Sequence, residues 1–252
     1  MALTVFQRLH MVHRCWRLRF KSEAPEIRYV RRQNLGAGTA LDIGANHGVY
    51  SIYLSRAVGP SGRVIAFEAQ PELGEHLSAV KQSFRLDNLT IVNKGLSSQD
   101  GSLLMRRNAP GSPAASFHNW ADEGHEEITV SVLPLDDYDE AADIGPVRFI
   151  KCDVEGHEFD VFAGGARLLA RDRPTLLFKS HEFAARKGEV FRLLTEIGYD
   201  GYFFYVSRAD HNSTLRKGRG QLVPCDQQAA YPYLHPDVRH RYYVFVPAGQ
   251  QP

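Results

Sequence analysis

Apolar residues along this chain fall into short runs separated by glycine turns and helical stretches. Thr39 to Ile43 form one run, a glycine turn follows, and Val49, Ile52, Tyr53 and Ala57 recur at helical spacing. Gly59, Pro60 and Gly62 stop that helix. Val64 to Phe67 then give a second run with little alternation, as a central parallel strand covered on both faces requires. Thr90 to Asn93, Val147 to Cys152 and Thr175 to Phe178 predict a third, fourth and fifth strand, with Val161, Phe162, Leu168 and Leu169 at helical positions between the last two. The pattern predicts an α/β fold on a mostly parallel sheet.

Three segments depart from that rhythm. Between Asp100 and Leu135, "GSLLMRR", the small-residue stretch "NAPGSPAAS" and the alternating "ITVSV" predict extra strands that form an edge extension or a cap. Near the end, the aromatic runs "GYDGYFFYVS" and "RYYVFVPA" predict two strands around a long polar loop suited to facing a substrate. At the start, Val5, Leu9, Val12 and Trp16 share helical spacing among Arg8, Arg14, Arg17, Arg19 and Lys21. A helix packed against its own domain is favoured there over one lying on a membrane. The organisation expected is a helical extension over 1–38 and a single domain over 39–252, with insertions near 100–135 and 208–237.

Composition narrows the partners. Of 252 residues, 43% are hydrophobic and 23% charged, enough apolar side chains for one full core. A net charge of +1 creates no global field for nucleic acid or an anionic membrane, so a small-molecule partner is expected. Cys15, Cys152 and Cys225 are too few and too scattered for a disulfide framework or a zinc site, which fits reduced thiols and a cytoplasmic location. No apolar run approaches the ~20 residues of a membrane span. No spacing demands a metal, although Asp153, Glu155 and His181 have suitable donor atoms.

In an open α/β sheet the ligand sits at the carboxyl ends of the strands. The first strand ends in "DIGANHG", where Gly44 and Gly48 can bring the main chain close to a ligand. Asp42 at that end could accept a hydrogen bond from a ligand ammonium, directly or through water. Glu68 closes the second strand in "VIAFEAQP", where a carboxylate can accept both hydroxyls of an adenosine ribose. A nicotinamide dinucleotide would satisfy that spacing, but its pyrophosphate calls for G-x-G-x-x-G and the turn offers G-x-x-x-G. The turn therefore favours a phosphate-free adenosine ligand, and S-adenosylmethionine is one.

The chain resembles the FkbM family of S-adenosylmethionine-dependent methyltransferases through "LDIGANHGVYS", "VIAFEAQP", "LDDY", "FIKCDVEGHEFDVFAGG" and "RPTLLF", in order from about Thr39 to Gly198. The resemblance implies a class I methyltransferase fold, Rossmann-like, with a seven-stranded mostly parallel sheet whose last strands form an antiparallel hairpin. It implies O-methylation of a hydroxyl on a sugar or polyketide-like small molecule. Carried over by position, Asp42, Gly44, Asn46 and Gly48 would line the methionine end of the cofactor and Glu68 its ribose. Asn93 to Ser97 would run near the adenine. Members commonly carry a glutamate in the fifth strand where this chain has Lys179, and a histidine where it has His181. The lysine makes a cofactor-binding module that has lost catalysis the alternative to an active enzyme; a nicotinamide-dependent reductase is a more distant one.

A hydroxyl acceptor must lose a proton as the methyl group arrives, and a nearby carboxylate or neutral histidine can take it. Asp153 and Glu155 follow the fourth strand into the crevice and would face the same side if the chain stays extended to Gly156. His157 and His181 complete the set of candidate bases. Glu158 and Asp160 fall in the first turn of the next helix, where the helix dipole favours acids.

Overall fold

The computed structural model describes residues 2–117, 125–180, 187–205, 221–225 and 242–252. Helices α1 (Val5–Arg17) and α2 (Ala24–Arg32), joined by a widened turn at Leu18–Ser22, precede β1 (Thr39–Ile43), α3 (Val49–Val58), β2 (Arg63–Phe67), α4 (Pro71–Phe84) and β3 (Leu89–Val92). Then come β4 (Gly95–Leu96), β5 (Gly101–Arg107), β6 (Glu126–Leu133), α5 (Leu135–Ala142), β7 (Val147–Cys152), α6 (Glu158–Ala163) and α7 (Ala166–Asp172). The chain continues through β8 (Thr175–Lys179), α8 (Lys187–Ile197), β9 (Tyr199–Tyr205), β10 (Gln221–Pro224) and β11 (Tyr242–Pro247).

The main sheet runs β10-β9-β11-β8-β7-β1-β2-β3. Its strands from β3 to β8 pair in parallel, and β11 lies antiparallel between β8 and β9. β1 is buried along its whole length because both sheet faces are covered. Ala40, Val64, Phe149 and Leu177 pack on one side with α2 and α3; Leu41, Ile65, Ile150 and Phe178 pack on the other with α6 to α8. Strand order reverses beside β1, between β2 and β7, so the ends of β1 and β7 open one crevice.

Local chemistry sets the element ends. Pro71 starts α4, where a missing N–H costs nothing, and Gly59 at φ 70° ends α3. The Asp136 carboxylate of "LDDY" accepts the backbone N–H groups of Arg167 (3.0 Å) and Leu168 (2.9 Å), capping α7.

Several expectations change. Among the described residues the main sheet has eight strands rather than seven, because Gln221–Pro224, read as loop, pairs antiparallel with β9 as an edge strand. The rest of the 208–237 insertion lies outside the described residues. Of the edge extension or cap expected for the 100–135 segment, the edge extension is not formed: β5 and β6 join β4 in a separate three-stranded sheet, tied back by Arg107. The Arg107 guanidinium is held by Glu72 on α4 at 2.8 and 3.0 Å and by Glu126 on β6 at 3.0 and 3.2 Å.

The N-terminal stripe also differs. Val5, Leu9, Val12 and Trp16, expected to pack against the domain, face solvent, and Met11 on the opposite side is buried in the core instead. Spacing identified the residues that share a face but not which face turns inward. The side lined by Met11 carries the anchors, with Tyr53 Oη donating to the Cys15 carbonyl at 3.2 Å.

Candidate active site

The turn after β1 is built on backbone closeness. Gly44 sits at φ 70°, and a Cβ there would lie 2.0 Å from the Asp153 carbonyl, so only glycine lets the β1 and β7 ends meet. Asn46 (φ 50°) and Gly48 (φ 80°) complete the left-handed turn into α3. Lys151, a lone cation inside the apolar "FIKC" run, lies beneath it, donating to the Gly44 carbonyl at 2.8 Å and pairing with Asp42 Oδ1 at 3.4 Å. Desolvation alone would lower the Lys151 pKa, but Asp42 and Asp153 outweigh it and keep the ammonium above its ordinary value. Asp42 is fully buried and also accepts the Ser51 hydroxyl at 2.6 Å. It therefore works from under the turn, whereas Gly44 and Asn46 line the cavity in front of it.

Glu68 forms the next wall. Its two oxygens accept the backbone N–H groups of Asn46 at 2.8 Å and Gln70 at 2.9 Å. Burial pushes its pKa up against those hydrogen bonds. Asn93 braces the same corner, its side-chain amide donating to the carbonyls of Glu68 (2.7 Å) and Gln70 (3.1 Å). The Gln70 amide in turn donates to the Ser112 carbonyl at 3.0 Å and accepts from Gly111 N–H at 3.1 Å, folding the cap's loop over the cavity. Gly95, Leu96, Ser112, Ala115 and Phe117 line that side.

At the end of β7 the chain does not stay extended: Glu155 adopts φ 50° and Gly156 φ 103°. Asp153 and Glu155 nevertheless converge, because Lys179 at the end of β8 reaches both, 3.2 Å from Asp153 Oδ1 and 2.5 Å from Glu155 Oε1. Desolvation pulls the Lys179 pKa down, and the two carboxylates more than reverse it. Tyr242 Oη donates to Asp153 Oδ2 at 3.2 Å. Asp153, Glu155 and Lys179 all line the cavity.

His157 lies apart from that wall. Its ring is buried, with Nε2 3.0 Å from Ser97 Oγ and Nδ1 3.5 Å from Asp160, and it packs on Phe117. His181 lies outside the described residues. Glu158 is buried, accepts Gly156 N–H at 3.1 Å, and is pushed up to about 7 by desolvation. Among the described residues no group of three His, Cys, Asp or Glu is arranged to hold a metal ion.

Sequence reasoning did not find the wall contributed by the N-terminal segment. Arg14, Arg17, Leu18 and Glu23 line the same cavity of about 290 Å³. Glu23 Oε2 accepts the Tyr50 hydroxyl at 2.7 Å, and burial raises the Glu23 pKa despite that bond. Its partners are far away in sequence, so no local spacing announces it.

Residues 42–200 match the model of the methyltransferase FkbM domain. The chain belongs to this family. The FkbM match spans the turn, Glu68, Asp153 and Lys179, but not the N-terminal wall with Glu23. Among curated proteins, the hexuronic acid methyltransferase AglP of Haloferax volcanii is 28% identical over 156 residues, 61% of this chain and 61% of its own. The chain thus matches less than two thirds of that relative's length. Among solved structures, an O-methyltransferase from Bacillus cereus in complex with SAH aligns at a TM-score of 0.52 and 12% identity, covering 98% of this chain and 92% of its own. The cofactor-bound Rv0187 from MTB aligns at 0.51 and 14%, covering 96% and 88%. At these identities the two structures show the fold alone, and it is the class I methyltransferase fold.

Proposed function

We propose that this chain binds S-adenosylmethionine between the Gly44 turn and Glu68 and transfers its methyl group to a hydroxyl of a small acceptor, a sugar acid. The observation that carries the reading is Glu68. A carboxylate has about four acceptor positions, and two at Glu68 are used by backbone N–H groups. Two remain on a side chain that lines the cavity, which suits the paired hydroxyls of a ribose. Gly44 and Asn46 offer main chain to the amino-acid end, and Asp42 supports them from below through Lys151. When bound, the cofactor supplies a methyl group activated on a sulfonium.

The chain's own residues then position the acceptor and receive its proton. Asp153 and Glu155 share the Lys179 ammonium, so their oxygens already have a partner in the cavity wall. Glu23 faces the cavity with a raised proton affinity, so it is the base in this reading. Arg14 and Arg17 supply positive charge for an acidic acceptor, in line with the hexuronic acid named for AglP. Lys179 also favours a second reading, a chain that binds the cofactor without turnover.

Calorimetry with the demethylated cofactor tests the binding step. The native chain should bind, and Glu68→Ala should weaken binding about tenfold or more, about 1.4 kcal/mol; no binding at millimolar ligand would refute it. Methyl transfer is then assayed on glucuronides and the matching neutral glucosides. Preference for the acids supports the full reading, and binding without transfer to either supports the second.

A further inference from the structure

Helix α1 is fastened on one side and open on the other. On the inner side Met11 is 3% exposed, Leu3 N–H donates to Ser83 Oγ at 2.8 Å, and the Arg8 guanidinium lies 5.7 Å from the Phe84 ring centre. On the outer side Val5, Phe6, Leu9, Val12, Trp16 and Phe20 are 79, 80, 63, 50, 46 and 41% exposed. Single apolar side chains at a surface are ordinary, but six on successive turns of one segment form a patch that needs a partner.

Charge identifies the partner. From Ala2 to Ser22 every ionised side chain is basic, namely Arg8, Arg14, Arg17, Arg19 and Lys21, in a chain whose net charge is only +1. The cations sit among the aromatic rings: Lys21 Nζ is 5.4 Å from the Trp16 ring centre and Arg19 is 4.8 Å from that of Phe20. A second copy of this chain would oppose these cations with the same cations, whereas an anionic bilayer offers an apolar layer beneath a negative surface. The 13 residues of α1 are about 20 Å long, too short for the roughly 30 Å of a bilayer core. Such a helix lies in the interface rather than across it.

We infer that α1 and the turn at Leu18–Ser22 dock this protein onto an anionic phospholipid surface, with Val5, Phe6, Leu9, Val12, Trp16 and Phe20 inserted among the acyl chains and Arg19 and Lys21 at the headgroups. The same helix lends Arg14 and Arg17 to the cavity wall, so docking holds the cavity beside the lipid. The docking does not depend on the methyl-transfer reading.

Co-sedimentation of the full chain with vesicles tests it. Phosphatidylcholine vesicles containing roughly a third phosphatidylglycerol should bind at least about tenfold more protein than pure phosphatidylcholine, with the gain lost in molar salt. The triple variant Val5→Ser, Leu9→Ser, Trp16→Ser should lose this binding while keeping its thermal transition and its affinity for the demethylated cofactor. Equal binding to both vesicles, binding to neither, or undiminished binding by the triple variant would overturn the proposal. So would a dimer in solution that the triple variant converts to monomers, since the stripe would then serve a second copy.

Discussion

Lys179 Nζ lies 2.5 Å from Glu155 Oε1, so the one residue that breaks the expected acidic pattern in β8 is the counter-ion of a candidate catalytic acid. Lys179, Glu155 and Asp153 keep only 14, 17 and 19% of their side-chain surface. Removing the cation alone leaves two poorly solvated carboxylates close together. Lys179→Met should therefore lower stability by about 3 kcal/mol at neutral pH, the lower end of what breaking a buried pair costs. Urea unfolding measures it, and a change within about 0.5 kcal/mol, as for an ordinary surface site, would mean that the pairing contributes nothing.

Glu23 predicts a separation of binding from turnover. If it receives the acceptor's proton, Glu23→Gln should reduce kcat by about a hundredfold or more while leaving affinity for the demethylated cofactor unchanged. The pH profile gives the sign. Only ionised Glu23 accepts a proton, and burial raises its pKa, so the native rate should climb with pH on an acid limb above the usual glutamate range. That limb should vanish in Glu23→Gln. A variant that retains both the rate and the limb would remove Glu23 from the chemistry.

The two glycines of the turn should respond unequally to alanine. Both have positive φ, 70° at Gly44 and 80° at Gly48, so the backbone cost is similar, about 1 kcal/mol. The obstacles differ. At Gly44 the added Cβ meets the Asp153 carbonyl at 2.0 Å, which is backbone, whereas at Gly48 it meets Leu77 Cδ2 at 2.7 Å, the end of a side chain that can rotate. Gly44→Ala should lose stability and cofactor affinity well beyond Gly48→Ala, as thermal unfolding and calorimetry would show. Equal losses would mean that the β1 and β7 ends tolerate separation.

Much of this was legible because parallel strands buried on both faces read as unbroken apolar runs. β1 and β7 fall where Thr39 to Ile43 and Val147 to Cys152 predict them. The "DIGANHG" turn and Glu68 were legible because glycine at positive φ and a lone acid at a strand end leave local marks. β10 was not, since Gln221–Pro224 is short, half-exposed and ends in proline, the composition of a loop as much as of an edge strand. Lys179 was visible as an anomaly, but its partners are not: they come from β7 by way of a turn whose left-handed residue, Glu155, breaks the extended path that strand periodicity assumes. Glu23 is the clearest case of non-local assembly, its hydroxyl partner Tyr50 lying 27 positions on.

Glu26, one turn beyond Glu23 on α2, makes the pH dependence of stability testable at a single residue. It is buried, Oε2 has no hydrogen-bond partner among the described residues, and desolvation, helped by the charge of Glu23, pushes it up to about 8. Unfolded, it titrates near the ordinary glutamate value of about 4.3. Between those values the folded state holds a proton that the unfolded state has released, so stability is fully present below about pH 4 and falls as pH rises through 8. The slope from this one group is about 1.4 kcal/mol per pH unit. Glu26→Gln carries no titrating proton in either state, so its stability relative to the native chain should increase steadily between roughly pH 5 and pH 8. Urea unfolding of both proteins across that range provides the comparison. Parallel curves would place the Glu26 carboxylate in contact with water, because desolvation is the largest cause that separates its two proton affinities.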